Sequence, residues 1–256
     1  MPEPTAISET LKDFGAQREQ TCSCGATFTQ TKMVHVWRPD FCSKCRGLHE
    51  VDRTESTRAA ARTVLLGALE IPPLYEHVTL ETFELHGDQK QQERQARILQ
   101  LARRYLASWP DVAGVLVFRG GPGSGKGHVT WSIAKKIASE LGASARVCKL
   151  PDVVRDLREA WRDETGPSEN ARLRTYREPD FLAIDEVSRH AFYGEPRQHL
   201  YDLIDHRIER GKACLLTTNE DAAGLAEILG PALVSRTAGS GIWEFGNADF
   251  RLRPLA

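Results

Sequence analysis

The stretch Gly114-Val-Leu-Val-Phe118-Arg-Gly120-Gly121-Pro122-Gly123-Ser124-Gly125-Lys126-Gly127-His128 decides how this chain is read. Its first half is a short apolar run, the mark of a strand buried on both faces of a parallel sheet. Its second half fits the pattern G-x-x-x-x-G-K. Glycines there let backbone N–H groups turn inward and cradle phosphate oxygens. A helix opening near Lys126 aims its positive end at the same anion, and Lys126 reaches the β- and γ-phosphates as a point charge. Gly121, Pro122, Gly123, Ser124, Gly125 and Lys126, with Gly127 and His128 at the helix start, are therefore the expected residues of an ATP site. One departure matters. The residue after the lysine normally offers a hydroxyl to Mg²⁺, and Gly127 has no side chain. The metal is then expected to rest on phosphate oxygens, waters and an acid elsewhere, with binding retained and hydrolysis slowed.

That acid has a candidate. Phe181-Leu-Ala-Ile184 runs straight into Asp185-Glu186. A buried strand delivers both carboxylates to its C-terminal end, where ligands bind in open α/β sheets. Asp185 is expected to hold Mg²⁺ through water, and Glu186 to polarise an attacking water as general base. A further apolar strand, Leu215-Leu-Thr217-Thr218, ends in Asn219. Asn219 is expected to orient that water or to touch the γ-phosphate.

Between these anchors the pattern alternates. Helices are expected at 49–70, 88–108, 126–141, 151–164 and 196–209, and strands at 114–118, 145–150, 181–184 and 213–217. Residues 165–177 read as a polar loop, and residues 1–20 as a loose arm or a short helix. Repeated strand–helix units imply an α/β fold with a parallel sheet covered by helices on both faces. The expected division is a module at 1–48 with an N-terminal arm, a helical linker at 49–70 whose Val64, Leu65, Ala68 and Leu69 pack on something, and a nucleotide-binding domain at 71–256. The 256 residues carry a formal net charge of -1, which argues against a surface coated in positive charge while leaving a local nucleic-acid patch open. Residues 1–20 hold no apolar signal-type run and nothing approaches the ~20 apolar residues of a membrane span. A soluble, cytoplasmic chain is expected.

Four of the six cysteines crowd into one segment. Cys22-Ser-Cys24 and Cys42-Ser-Lys-Cys45 make two closely spaced pairs around a hairpin-sized insert, which suits four thiolates on a structural Zn²⁺. Phe28, Val34, Val36 and Trp37 would form its small core. So short a segment buries little apolar area, and metal would supply folding energy. Arg18, Lys32, Trp37, Arg38, Lys44 and Arg46 could also serve single-stranded DNA. Cys148 and Cys214 stand alone among apolar residues and read as buried strand positions.

The loop, the Asp-Glu pair and the strand-end Asn together resemble the AAA+ ATPases, and within them the DnaC/IstB-type group that includes bacterial and phage replicative helicase loaders. The resemblance spans 71–256. Ile71-Pro-Pro-Leu-Tyr75 through Phe83 is similar to the lead-in that lies near the adenine, and Gly230-Pro-Ala-Leu-Val-Ser-Arg236 to the segment carrying an arginine finger. Trp243-Glu-Phe-Gly-Asn-Ala-Asp249-Phe-Arg251 is similar to the short C-terminal end, with Arg251 at the position of a sensor arginine. The resemblance implies an ATPase that loads a replicative DNA helicase onto single-stranded DNA, with Arg236 completing a neighbour's site in a homo-oligomer. It also implies a partner-contacting role for the zinc module. A transposition helper of the IstB type shares the same core and stays open. A small-molecule kinase and a nucleotide-gated adaptor without turnover are the remaining alternatives.

Overall fold

The computed structural model describes residues 17–22, 24–33, 36–38, 42–111, 114–162, 169–188, 196–221, 223–228, 230 and 241–252; within these, the side chains of 31–38, 43–54, 157, 160–162, 169–170 and 196–199 stay outside the description. The chain divides into two compact units, Met1–Ala60 and Ala61–Ala256.

In the first unit, strands β1 (Gln17–Thr21), β2 (Thr27–Met33) and β3 (Val36–Arg38) form an antiparallel sheet in the order β1-β2-β3. Strand β1 corrects the expectation of a loose arm or helix up to residue 20. Gln17–Thr21 is polar and exposed along its whole length, so no alternation betrayed it; its ladder to β2, from Gln17 opposite Thr31 to Thr21 opposite Thr27, makes it a strand.

Helix α1 (Ser43–Ala68) crosses the boundary between the units. It starts six residues before the expected position, because Cys and Gly around Cys45-Arg-Gly47 masked a helical start. Glu70, at φ 49°, ends it in the left-handed conformation, and Pro72-Pro73 cannot continue it. Of its expected packing residues, Leu69 is buried and Leu65 half-buried, whereas Val64 and Ala68 face solvent.

The second unit follows as helix α2 (Gln89–Ala107), β4 (Gly114–Gly120), α3 (Lys126–Ser139), β5 (Ala145–Lys149), α4 (Leu150–Arg162), α5 (Glu169–Arg177), β6 (Phe181–Asp185), α6 (Pro196–Glu209), β7 (Ala213–Thr218) and β8 (Ile242–Gly246). The five strands form one parallel sheet in the order β5-β6-β7-β4-β8. Two features depart from the sequence reading. Helix α5 replaces the loop expected at 165–177, because Leu173 and Tyr176, three apart, bury themselves against the core while arginines fill the remaining face. Strand β8 is the second departure: 242–246 is not among the expected strands, although alternate residues Trp243 and Phe245 are buried.

Successive residues of β4 serve opposite faces, as the two-residue period of a strand requires. Val115 and Val117 join Leu150, Val153, Leu203 and Ile204 on one side. Leu116 and Phe118 join Ile98, Ala102, Val129 and Ile133 on the other. Each Val, Leu, Ile or Phe among them contributes about 1.5–3 kcal/mol on burial. Beneath the sheet's N-terminal edge lies a buried cation. Arg207 is 0% exposed and donates to the carbonyls of Tyr176, Arg177, Pro179, Asp180 and Ala213 at 2.6–3.3 Å. It thereby ties the end of α5 to the starts of β6 and β7.

The order places β7 between β4 and β6. The phosphate-loop strand and the acidic strand are thus not neighbours, and the end of β7 lies between them.

Candidate functional site

The glycine-rich turn leaves β4 and enters α3 at Lys126, with Gly125 as the helix cap at φ 99°. Glycine is required at Gly123, whose φ is +67° and whose added Cβ would fall 1.6 Å from Asp249 Oδ1. The segment after β8 packs directly on the loop: the Phe250 N–H donates to the Gly123 carbonyl at 3.1 Å. Ser124 is fully buried.

The Lys126 ammonium bridges two strand ends. It donates to the carbonyls of Gly120 at 2.7 Å and Gly121 at 2.8 Å, and to Asn219 Oδ1 at 2.8 Å. Burial pushes its pKa down to about 8, against a smaller raising effect of Asp185. His128 donates from its Nε2–H to the Thr79 carbonyl at 2.7 Å. Burial lowers its pKa, which favours the neutral ring.

Asp185 and Glu186 emerge at the C-terminal end of β6. The Thr217 hydroxyl donates to Asp185 Oδ1, and the Glu186 N–H donates to the same oxygen at 3.0 Å. Oδ1 is thereby engaged by the protein while the second oxygen remains for a cation or its water. Glu186 sits at φ 60°, a left-handed conformation that side chains other than glycine rarely adopt. Its carboxylate is exposed and pairs with Lys149 Nζ at 2.9 Å. That bond and the two carboxylates raise the Lys149 pKa despite some burial.

A single cleft of about 1080 Å³ is lined by Pro122–His128, Asp185, Glu186, Asn219 and Arg251, all expected from sequence. Gly121 contributes its carbonyl to Lys126 from beside the cleft. Arg236 lies outside the described residues. The cleft also holds residues that sequence reasoning missed. Lys149 ends an apolar strand at the same sheet edge as the acids, which was its one signal. Thr217 reads in the sequence only as a strand end. Tyr75 reads only as part of the lead-in. Its hydroxyl reaches helix α3 so closely that a Cβ on Gly127 would lie 2.8 Å from it. Burial first, and Asp185 second, raise the Tyr75 pKa and keep it a phenol.

The arrangement suits a polyphosphate. A helix N-terminus and the buried Lys126 ammonium share the cleft with two carboxylates, one restrained and one exposed, and the ammonium offsets charge that the carboxylates alone would set against a phosphate.

The cysteine cluster lies in the other unit. The sulfur atoms of Cys22, Cys24 and Cys42 all lie within 4.8 Å of one another, and those of Cys24 and Cys42 are 3.5 Å apart. Cys22 and Cys42 are buried. A turn folds the first pair, with the Gly25 N–H on the Cys22 carbonyl and the Cys22 N–H on the Ala26 carbonyl, each at 2.8 Å. Sulfur spacings of this size fit a tetrahedral ion with bonds of ≈ 2.3 Å. Cys45 stands in the first turn of α1, and its side chain lies outside the description, as do Val34 and the side chains of Val36 and Trp37. Cys148 is half-buried and Cys214 fully buried, and burial pushes their pKa values up to about 12 and about 11.

Residues 43–237 match the family of IstB-like ATP binding proteins. The chain belongs to this family. Among relatives of this IstB-like chain, the replicative helicase loader DnaC of Escherichia coli K12 is 23% identical over 180 residues, 70% of this chain and 71% of DnaC. An ATP-binding protein in an insertion sequence of Mycobacterium tuberculosis is 28% identical over 194 residues, 76% of this chain and 71% of its own length. The crystal structure of the DnaC helicase loader superposes with a TM-score of 0.59 at 21% identity, covering 68% of this chain and 99% of that one. AMPPCP-bound DnaA from Aquifex aeolicus superposes at 0.57 with 18% identity, covering 68% and 51%. These likenesses show the expected AAA+ P-loop fold. Among the described residues no helix is long and apolar enough to cross a membrane.

Proposed function

We propose that this chain is an ATPase that loads a replicative DNA helicase onto single-stranded DNA. The observation that carries the ATPase half is the meeting of Lys126, Asn219, Asp185 and Glu186 at one end of one sheet. On this reading the loop amides of Gly123–Lys126 seat the phosphates. Lys126 gives up its bonds to the loop carbonyls and Asn219 in exchange for phosphate oxygens. Asp185, fixed by Thr217, would hold Mg²⁺ through water, and the ion would screen charge on the phosphates. Glu186 polarises the attacking water once it leaves Lys149, and Asn219, released from Lys126, orients that water. Arg251 faces the phosphates from the C-terminal segment. Arg236 would reach a neighbour's γ-phosphate, so that turnover requires a homo-oligomer.

Cys22, Cys24, Cys42 and Cys45 would hold Zn²⁺ as a closed structural site in the module at 1–48. That module, with the helical linker at 49–70, would contact the helicase, and the ATPase domain at 71–256 would touch DNA. The DnaC relatives support the loader assignment. The insertion-sequence relative, at somewhat higher identity, favours a second reading as an IstB-type transposition helper. A cytoplasmic location fits both.

Affinity purification of the full chain from its native cell separates the two. A co-purifying replicative helicase supports the loader, and a transposase in its place overturns it. Phosphate release from ATP without an added acceptor supports the ATPase, and its absence in the partner-bound protein overturns that half.

A further inference from the structure

Gly127 stands where loops of this pattern carry Ser or Thr, yet the space such a side chain would fill is already taken. A Cβ built on Gly127 lies 2.8 Å from Tyr75 Oη and 3.4 Å from Tyr75 Cζ. The first of these is closer than real Cβ atoms approach a neighbour, so one of the two groups would have to shift.

Tyr75 is not placed to give way. Its ring stacks on Trp131, with centroids 5.4 Å apart and planes 19° from parallel. Its backbone is held as well, because Lys135 Nζ gathers the carbonyls of Tyr75, Glu76 and Val78 at 3.1, 2.6 and 2.8 Å. A rigid phenol is thus pinned against the first turn of α3 with its oxygen over Gly127.

The hydroxyl of a Ser or Thr at 127 would sit one bond beyond that Cβ, in the region where Tyr75 Oη now lies. A phenol and an alcohol offer the same equipment, one donor and lone pairs on a neutral oxygen. Tyr75 also lines the cleft together with Lys126, Asp185 and Glu186.

We propose that Tyr75 Oη supplies the hydroxyl that the phosphate loop lacks, so that Tyr75 helps hold the hydrated magnesium ion of a bound nucleoside triphosphate. Gly127 and Tyr75 then form one unit: the glycine gives the space and the tyrosine gives the oxygen. The inference rests on the ATP-binding reading of the cleft, and it removes the reason to expect slow hydrolysis from Gly127 alone.

The test is calorimetric titration of the full chain with ATP, once with magnesium and once with EDTA. Tyr75→Phe keeps the ring and its stack while removing the oxygen. Its affinity in EDTA should match the wild type, and the gain on adding magnesium should fall about tenfold, the loss typical of a group that supports a metal's ligands. Gly127→Ser alone should lower the melting temperature, since Ser and Tyr75 compete for one space. Tyr75→Phe combined with Gly127→Ser should recover the magnesium-dependent gain. A full magnesium gain in Tyr75→Phe overturns the proposal, and so does a double variant no better than Tyr75→Phe. If the wild type fails to bind ATP in either condition, the nucleotide-site reading falls and takes this inference with it. Binding that persists in EDTA while Tyr75→Phe keeps its magnesium gain overturns only the role of Tyr75.

Discussion

The Lys126 ammonium donates to Asn219 Oδ1 at 2.8 Å, so the residue that closes the phosphate loop and the residue that follows β7 are joined directly. Lys126→Ala should abolish measurable ATP binding by titration, because nothing else in the loop carries positive charge. Asn219→Ala should leave affinity within a few-fold and lower phosphate release by about tenfold or more, as expected for loss of a water-orienting group. Equal losses of binding in both variants would contradict these roles.

The buried position of Lys126, which pushes its pKa down to about 8, gives ATP binding a pH signature. Phosphate favours the charged lysine, so the complex binds a proton more tightly than the free protein. Affinity should therefore be flat below pH 8 and weaken above it, approaching about tenfold per pH unit. Titrations between pH 6.5 and 9.5 check this, together with proton uptake measured in two buffers of different ionisation enthalpy. A flat profile across the range would contradict a buried, partly deprotonating lysine.

Lys149 and Glu186 form an exposed ion pair at 2.9 Å. Such a pair holds its partners by no more than about 1 kcal/mol. Lys149→Ala should leave ATP affinity unchanged and raise basal phosphate release about two- to fivefold, because Glu186 no longer has to leave a partner. Glu186→Gln should bind ATP normally and release almost no phosphate. A steady-state phosphate assay distinguishes these outcomes.

Arg207 holds five carbonyls from within the core. Arg207→Met keeps volume but strands those acceptors, and should cost at least about 3 kcal/mol of stability. Urea unfolding followed by circular dichroism measures it. The melting temperature should fall well below that of Lys149→Ala, which removes only a surface charge.

The cysteine cluster makes a metal prediction. Purified protein should carry one zinc per chain by elemental analysis, and Cys24→Ser should reduce that content. Removal of zinc with free magnesium held constant should unfold the N-terminal unit, since so small a sheet depends on its ion, and should leave ATP affinity of the second unit intact. Loss of ATP binding on zinc removal would show that the two units do not fold independently.

Much of the nucleotide site was legible because its signals are local. Gly123 and Gly125 adopt positive φ values within a few bonds of Lys126, and Phe181–Ile184 delivers Asp185 to a strand end by its own apolar character. The expected parallel sheet was legible for the same reason, through runs of apolar residues bounded by turns. The segments that were misread carry no local signal. Gln17–Thr21 is a strand only because β2 lies alongside it, and 169–177 is a helix only because the core offers Leu173 and Tyr176 a place.

What the chain determined by itself was chemistry fixed by spacing: an anion-binding turn, two adjacent carboxylates and paired thiols. Tertiary structure alone decided which of these meet. Strand order put the end of β7 between β4 and β6, bringing Asn219 and Thr217 to Lys126 and Asp185. Packing of a distant turn brought Tyr75 over Gly127, and the end of β5 brought Lys149 to Glu186. A linear pattern encodes neighbours a few bonds apart, whereas those contacts join residues 32 to 93 positions apart and exist only once burial of the sheet's two faces has fixed where every strand ends.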